Sequence, residues 1–280
     1  MPLRLTDVPT TDRSLAAMLA EAGDEGRPLV GAWSSMGSPV AAELLAGSGL
    51  DVVLVDGEHG PNDLTTVLAQ LQATAAYPVA TLVRVPSGDP VGLKRVLDLG
   101  ATNVLVPMVD SAAEAEAAAR AVRYPPAGVR GVGSALARSS RWNRVPGYLG
   151  GADDGITLVV QLETRAAIDD AAAIAGTDGV GAVLIGPADL AASLGHLGQQ
   201  DHPEVVDAVL GAIAACRAAG TPVGVNAFDP AMADRYLDAG AAYVVVGADV
   251  TLIARGSEQL AARVASRTPD TARPKDGGTR

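Results

Sequence analysis

Asp56, Glu58 and His59 stand together at the end of an apolar run, in the stretch Asp51-Val-Val-Leu-Val-Asp-Gly-Glu-His-Gly60. A histidine beside carboxylates can be held in one tautomer and made more basic, which suits a general base; a purely structural histidine is the alternative. Arg84 ends Leu82-Val-Arg-Val-Pro86 and offers a fixed cation where negative charge could develop. An ion pair with Asp56 or Glu58 is the simpler reading, and the two are compatible. Glu163 and Asp189 follow separate apolar runs with no basic residue immediately beside them. Converging carboxylates of this kind can hold a divalent cation through oxygen and leave positions open for water and substrate. The alternative is that each caps the helix that follows it.

These residues need elements that bring them together. Val52 to Val55 has no polar alternation, which fits a strand covered on both faces, as in a parallel sheet. Comparable runs recur at Leu29–Trp33, Val79–Val83, Asn103–Val106, Thr157–Leu162, Val180–Ile185, Pro222–Val225 and Tyr243–Val246. Segments of helical period alternate with them: Val40–Ala46, Leu64–Ala73, Pro90–Leu99, Ala112–Val122, Ala166–Ala175, Pro203–Ala219, Ala231–Ala239 and Val250–Ala265. Eight β-then-α units predict a TIM (β/α)8 barrel in one domain. Gly100, Gly220 and Gly240 sit where helices should stop. Gly57 and Gly60 permit a tight turn after the second strand, and Pro61-Asn-Asp63 opens the next helix.

The strand ends then face one mouth, where barrels bind ligands: Trp33, Asp56 with Glu58 and His59, Arg84, Pro107, Gln161 with Glu163, Pro187 with Asp189, Asn226 and Asp249. Residues 1–13 read as a flexible leader, 14–267 as the barrel with a first helix over its floor, and 268–280 as a disordered tail. The connection from Tyr124-Pro-Pro to Asp154 is too long for an ordinary loop, and a short helix within it and a role as a lid or a subunit contact are the expectations.

Composition narrows the chemistry. A net charge of −11 argues against nucleic acid and anionic membrane surfaces as partners. Cys216 is the single cysteine, set in an Ala-rich helical segment where packing explains it better than nucleophilic chemistry. The chain opens without an apolar signal core, so a cytoplasmic location is expected. Lys94 and Lys275 are the only lysines, one in a helix and one in the tail, so no strand end supplies an amine for a Schiff base. Gly128-Val-Arg-Gly-Val-Gly133 is a weak match to a nucleotide loop because it does not join a strand to a helix. No organic cofactor is expected.

Several blocks in order resemble the metal-dependent, class II pyruvate aldolases of the HpcH/HpaI type: residues 42–47, Asp56-Gly-Glu-His59, Leu105-Val-Pro-Met-Val109, residues 123–138, Gln161-Leu-Glu-Thr-Arg165 and Ile185-Gly-Pro-Ala-Asp-Leu190. The resemblance implies reversible cleavage of a 4-hydroxy-2-oxo acid, such as 4-hydroxy-2-oxoheptanedioate, to pyruvate and an aldehyde, in aromatic-compound or sugar-acid catabolism. It implies that Glu163 and Asp189 hold Mn2+, Co2+ or Mg2+, that His59 governs the base step with support from Asp98, and that Asp56 orients His59 or a metal-bound water. Arg84 would stabilise the enolate, while Gln161 and the Ala188 backbone hold pyruvate. Trp33 and Asn226 would line the substrate pocket. Asn226 departs from the type member, which is apolar there, so a more polar aldehyde is expected. The family also implies a homo-oligomer, commonly a hexamer. Citrate-lyase and malyl-CoA-lyase types share such a barrel, but their CoA would need more basic surface than Arg138, Arg141 and Arg144 supply.

Overall fold

The computed structural model describes residues 13–265, so the expectations for residues 1–12 and 266–280 lie outside it. Eight parallel strands close into a barrel in chain order. They are β1 (Leu29–Ser34), β2 (Val52–Asp56), β3 (Ala80–Arg84), β4 (Asn103–Val106), β5 (Thr157–Leu162), β6 (Val180–Ile185), β7 (Val223–Asn226) and β8 (Tyr243–Ala248). The helices are α1 (Leu15–Glu25), α2 (Pro39–Ala46), α3 (Leu64–Thr74), α4 (Pro90–Asp98), α5 (Ala112–Val122), α6 (Tyr148–Gly151), α7 (Arg165–Asp169), α8 (Ala171–Ala175), α9 (Pro187–Ser193), α10 (Pro203–Ala218), α11 (Pro230–Asp238) and α12 (Asp249–Ala265).

Strand alternation sorts the side chains into two cores. Val55, Val83, Val104, Val160, Val183 and Val225 point outward and pack under the helices. Leu54, Leu82, Leu105, Val159, Leu184 and Val245 point inward. Counting by twos from this inner set reaches Asp56, Arg84 and Gln161, and the same count from Leu29 on β1 and Gly224 on β7 reaches Trp33 and Asn226, so the period of the strand itself brings them to one mouth. The interior is a packed core. Tyr243 is fully buried and donates its hydroxyl to Val183 O at 2.8 Å. Gly224 leaves room for that ring: a Cβ there would collide with it.

The floor is closed by α1, as expected. Ser14 caps it, the Leu15 amide donates to Asn103 Oδ1 at 2.7 Å, and the Ala16 amide donates to Thr157 Oγ1 at 3.2 Å. Leu15, Met18, Leu19 and Ala22 cover the inner core from below. Gly100, Gly220 and Gly240 take φ of 97°, 82° and 97°, the left-handed conformation of a helix stop.

Two details depart from the sequence reading. The single helix expected over 166–175 is two, broken at Asp170, whose carboxylate instead accepts from the Ala112 amide at the start of α5 at 2.9 Å. Helix α9 was absent from the alternating segments and entered only as the helix that Asp189 would cap; it is only seven residues long and begins with Pro187 at its first turn. The long connection holds the expected short helix, α6, and a 3-10 turn at Arg138–Ser140.

One helix is left almost unpacked. In α12 only Asp249 is buried, while Val250, Leu252, Ile253, Leu260 and Val264 are all exposed. No helix among the described residues is long and apolar enough to cross a membrane.

Candidate active site

Register fixes the first part of the site. Asp56 and Arg84 are paired neighbours on β2 and β3. Arg84 therefore reaches one carboxylate oxygen twice: Nε and Nη2 donate to Asp56 Oδ1 at 3.0 and 2.8 Å. Its Nη1 lies 3.0 Å from Glu58 Oε2, without hydrogen-bond alignment. The guanidinium is buried and lies over the Trp33 ring, 4.2 Å from the centroid. Trp33 in turn donates Nε1–H to Asn226 Oδ1 at 2.9 Å. The cation's orientation is thus over-determined, as electrostatic catalysis requires.

Asp56 also shapes the turn that follows it. Its Oδ1 accepts from the amides of Glu58 and His59, both at 3.1 Å, and its backbone oxygen accepts from Asn62 Nδ2 at 2.8 Å. Asp56 therefore places the His59 backbone, while the His59 ring stands two-thirds exposed at the mouth with Glu58 Oε2 3.9 Å from Nε2. Asp249 is engaged structurally, accepting from the Ser35 and Met36 amides at 2.9 and 3.2 Å.

Across the mouth, Glu163 is buried at 2% exposure. Gln161 Nε2 donates to its Oε1 at 2.6 Å, and the Met108 amide donates to its Oε2 at 3.1 Å. Met108 turns that amide inward by adopting φ of 55°, a backbone state rare outside glycine. Burial above all, with the like charges of Asp189 and Glu58, pushes the Glu163 carboxyl up to about 7, against the pull of the Met108 amide and Arg84. Burial likewise raises Glu58, opposed by Arg84. Asp189 lies in the first turn of α9, where it makes no cap, and Thr164 rather than Glu163 caps α7. Neither acid is therefore the N-cap of its helix, while Asp189 still favours the start of α9 through the helix dipole.

These groups suit a hard divalent cation. Glu163 is a buried carboxyl that favours its proton unless positive charge is nearby, Asp189 is a second acid within its electrostatic reach, and Gln161 Oε1 is buried without a partner. The donors are all oxygen.

Asp98 is placed elsewhere. It ends α4, which runs from the mouth back towards the floor over about 13 Å at the helical rise. There it meets Arg130, whose Nη2 lies 3.4 Å from Oδ1. Within one chain it is therefore a floor residue, not a neighbour of His59 at the mouth. Ala188, beside Asp189 in the opening turn of α9, is exposed. Asn62, Met108 and the backbone role of Asp56 were not foreseen, because contacts through main-chain amides carry no residue-type signature.

The family model described as HpcH/HpaI aldolase/citrate lyase matches residues 29–256. A protein of Salmonella dublin named 4-hydroxy-2-oxo-heptane-1,7-dioate aldolase is 53% identical over 238 residues, spanning 85% of this chain and 90% of that one. A crystal structure of an HpcH/HpaI aldolase/citrate lyase family protein from Burkholderia cenocepacia is 39% identical with a TM-score of 0.85, covering 89% of this chain and 99% of the other. An HpcH/HpaI aldolase structure from Desulfitobacterium hafniense is 27% identical with a TM-score of 0.81, covering 91% and 99% of the two chains. On this match of sequence and fold, the chain belongs to the HpcH/HpaI aldolase/citrate lyase family.

Proposed function

We propose that this chain is a metal-dependent aldolase that reversibly cleaves a 4-hydroxy-2-oxo acid into pyruvate and an aldehyde. The observation that carries the reading is the buried Arg84 facing the same mouth as the acids Glu163 and Asp189. The 53% identity to a 4-hydroxy-2-oxo-heptane-1,7-dioate aldolase names the first substrate to try. Glu163 and Asp189 would hold the divalent ion, which as a Lewis acid lowers the cost of charge on the substrate's carboxylate and 2-oxo oxygens.

The chain's own residues do the rest. Gln161 and the open amide at Ala188 orient the pyruvyl end. His59 accepts the proton of the 4-hydroxyl as the C3–C4 bond breaks and the aldehyde forms. The electron pair passes to the pyruvyl fragment, whose enolate oxygen faces the fixed Arg84 guanidinium. Protonation at C3 then gives pyruvate. Asn226, tied to Trp33, lies on the inward parity of β7 and sets the polarity of the aldehyde side.

The working unit is a homo-oligomer, with six copies the number implied by the family. The bare apolar face of α12 needs a partner, and Asp98, remote from its own His59, could support that residue only from a neighbouring copy. The test is pyruvate release from 4-hydroxy-2-oxoheptanedioate. Activity should vanish in EDTA and return with Mn2+, Co2+ or Mg2+. Full activity after exhaustive chelation would overturn the metal-dependent reading.

A further inference from the structure

The chain has three histidines, and the two outside the mouth touch each other. Their rings stack with centroids 3.5 Å apart at 17°. Among the described residues, His196, His202 and Glu204 form the one group of three whose imidazole or carboxylate ligand atoms all lie within 4.8 Å of one another. His196 stands in the turn after α9, His202 is the cap of α10, and Glu204 lies in the first turn of α10. Glu204 Oε2 is 2.9 Å from His196 Nε2, while its Oε1 takes Arg165 Nη2 at 2.6 Å. His202 Nδ1 accepts only a long bond, 3.3 Å, from the Glu204 amide.

We propose that this triad is a second cation site, selective for a borderline transition-metal ion such as Zn2+ or Ni2+ and independent of the mouth. The donor chemistry separates the two places. Two imidazole nitrogens and one carboxylate favour Zn2+ or Ni2+, whereas an oxygen-only mouth favours Mg2+ or Mn2+. The spacing also fits. Bonds of about 2.0–2.2 Å put neighbouring ligands on one tetrahedral ion about 3.4 Å apart, so closing a group already inside 4.8 Å needs side-chain rotation alone.

Binding carries three local adjustments. The rings tilt out of their stack so that both lone pairs meet the ion, the His196 proton moves from Nε2 to Nδ1, and His202 releases its long cap bond. Arg165 stays on Oε1 and keeps Oε2 turned to the site. Glu204 is 46% exposed, so water can complete the coordination. Arg165 and the amides opening α10 oppose any cation here; nitrogen ligation offsets that opposition for Zn2+ and not for Mg2+. The inference does not rest on the aldolase reading.

The test uses tag-free, chelator-stripped protein in which Glu163→Gln and Asp189→Asn have removed the acids of the mouth. Equilibrium dialysis should show one Zn2+ retained per chain and no Mg2+. Adding His196→Ala or His202→Ala should weaken zinc binding about tenfold or more. In the otherwise wild-type chain, His196→Ala should leave Mg2+-supported pyruvate release unchanged. A second measurement does not need the double variant to fold: in Mg2+-saturated wild-type protein, substoichiometric Ni2+ should broaden the His196 and His202 ring-proton signals before those of His59. The proposal is overturned if zinc retention survives loss of both imidazoles, if the double variant folds and binds no zinc, or if His59 broadens first.

Discussion

At the scale of the residue, Arg84 is the most constrained group in the mouth. It meets Asp56 through two nitrogens and Glu58 through the third, with Trp33 behind it. A lysine could not hold both acids and still face a substrate oxygen, because it lacks the planar fork. Arg84→Ala and His59→Ala should each lower kcat by about a hundredfold or more, the scale of an oxyanion donor or a positioned base. Pyruvate release at saturating substrate and metal measures this, and near-normal turnover would remove that residue from the mechanism. Cys216 gives a contrasting forecast. Burial pushes its thiol up to about 11, so the thiolate is scarce below that pH in the folded state. Iodoacetamide at pH 8 should leave the native protein unlabelled and modify it after unfolding; rapid native labelling would show the site to be open. The acids, His59 and Arg84 were legible because their types and strand-end positions differ from the apolar runs before them. The role of Asp98 rested on the family resemblance alone, with no pattern in the residues to carry it, and α4 takes Asp98 to the other end of the barrel from its own His59.

At the scale of the element, the strand period does most of the positioning, and the eight alternating units could be read from the sequence for that reason. The turns between strand and helix were harder. The Gly186–Pro187 junction opens α9 and sets Asp189 across from Glu163, yet its seven residues offered too short a pattern to read as a helix. A side chain at that junction would press on the acid itself. A Cβ on Gly186 would lie 2.6 Å from Glu163 Oε1 and 3.0 Å from Gln161 Nε2. Gly186→Ala should therefore shift the carboxylate and lower kcat/KM by about a hundredfold, the usual cost of a 1 Å displacement of a reacting group. Circular dichroism should stay native, because β6 and the outer core are untouched; unchanged kcat/KM would show that Glu163 has room to move without loss.

At the scale of the whole molecule, two features carry consequences beyond any one residue or element. The α12 helix exposes Leu252, Ile253, Leu260 and Val264 to water in the isolated chain. Apolar surface of that extent is normally covered by a partner. Leu252→Asp with Ile253→Asp should break the assembly into smaller species by light scattering. If Asp98 serves a neighbour's His59, activity should fall along with mass; a variant of unchanged mass would place the oligomer contact elsewhere. Neither the partner nor the exposure could be read from α12 itself, since an amphipathic period looks the same whether its face covers its own barrel or another.

The second feature is the filled interior, with Tyr243 across the middle and α1 sealed beneath it. A barrel stoppered at that end has one portal. On the proposed mechanism the pyruvyl fragment lies deeper, against the strand ends, and the aldehyde nearer the solvent, so the aldehyde would depart first and, in the condensation direction, arrive second. Traffic in single file dictates an ordered kinetic scheme, and patterns of product inhibition would reveal that order without any further structure.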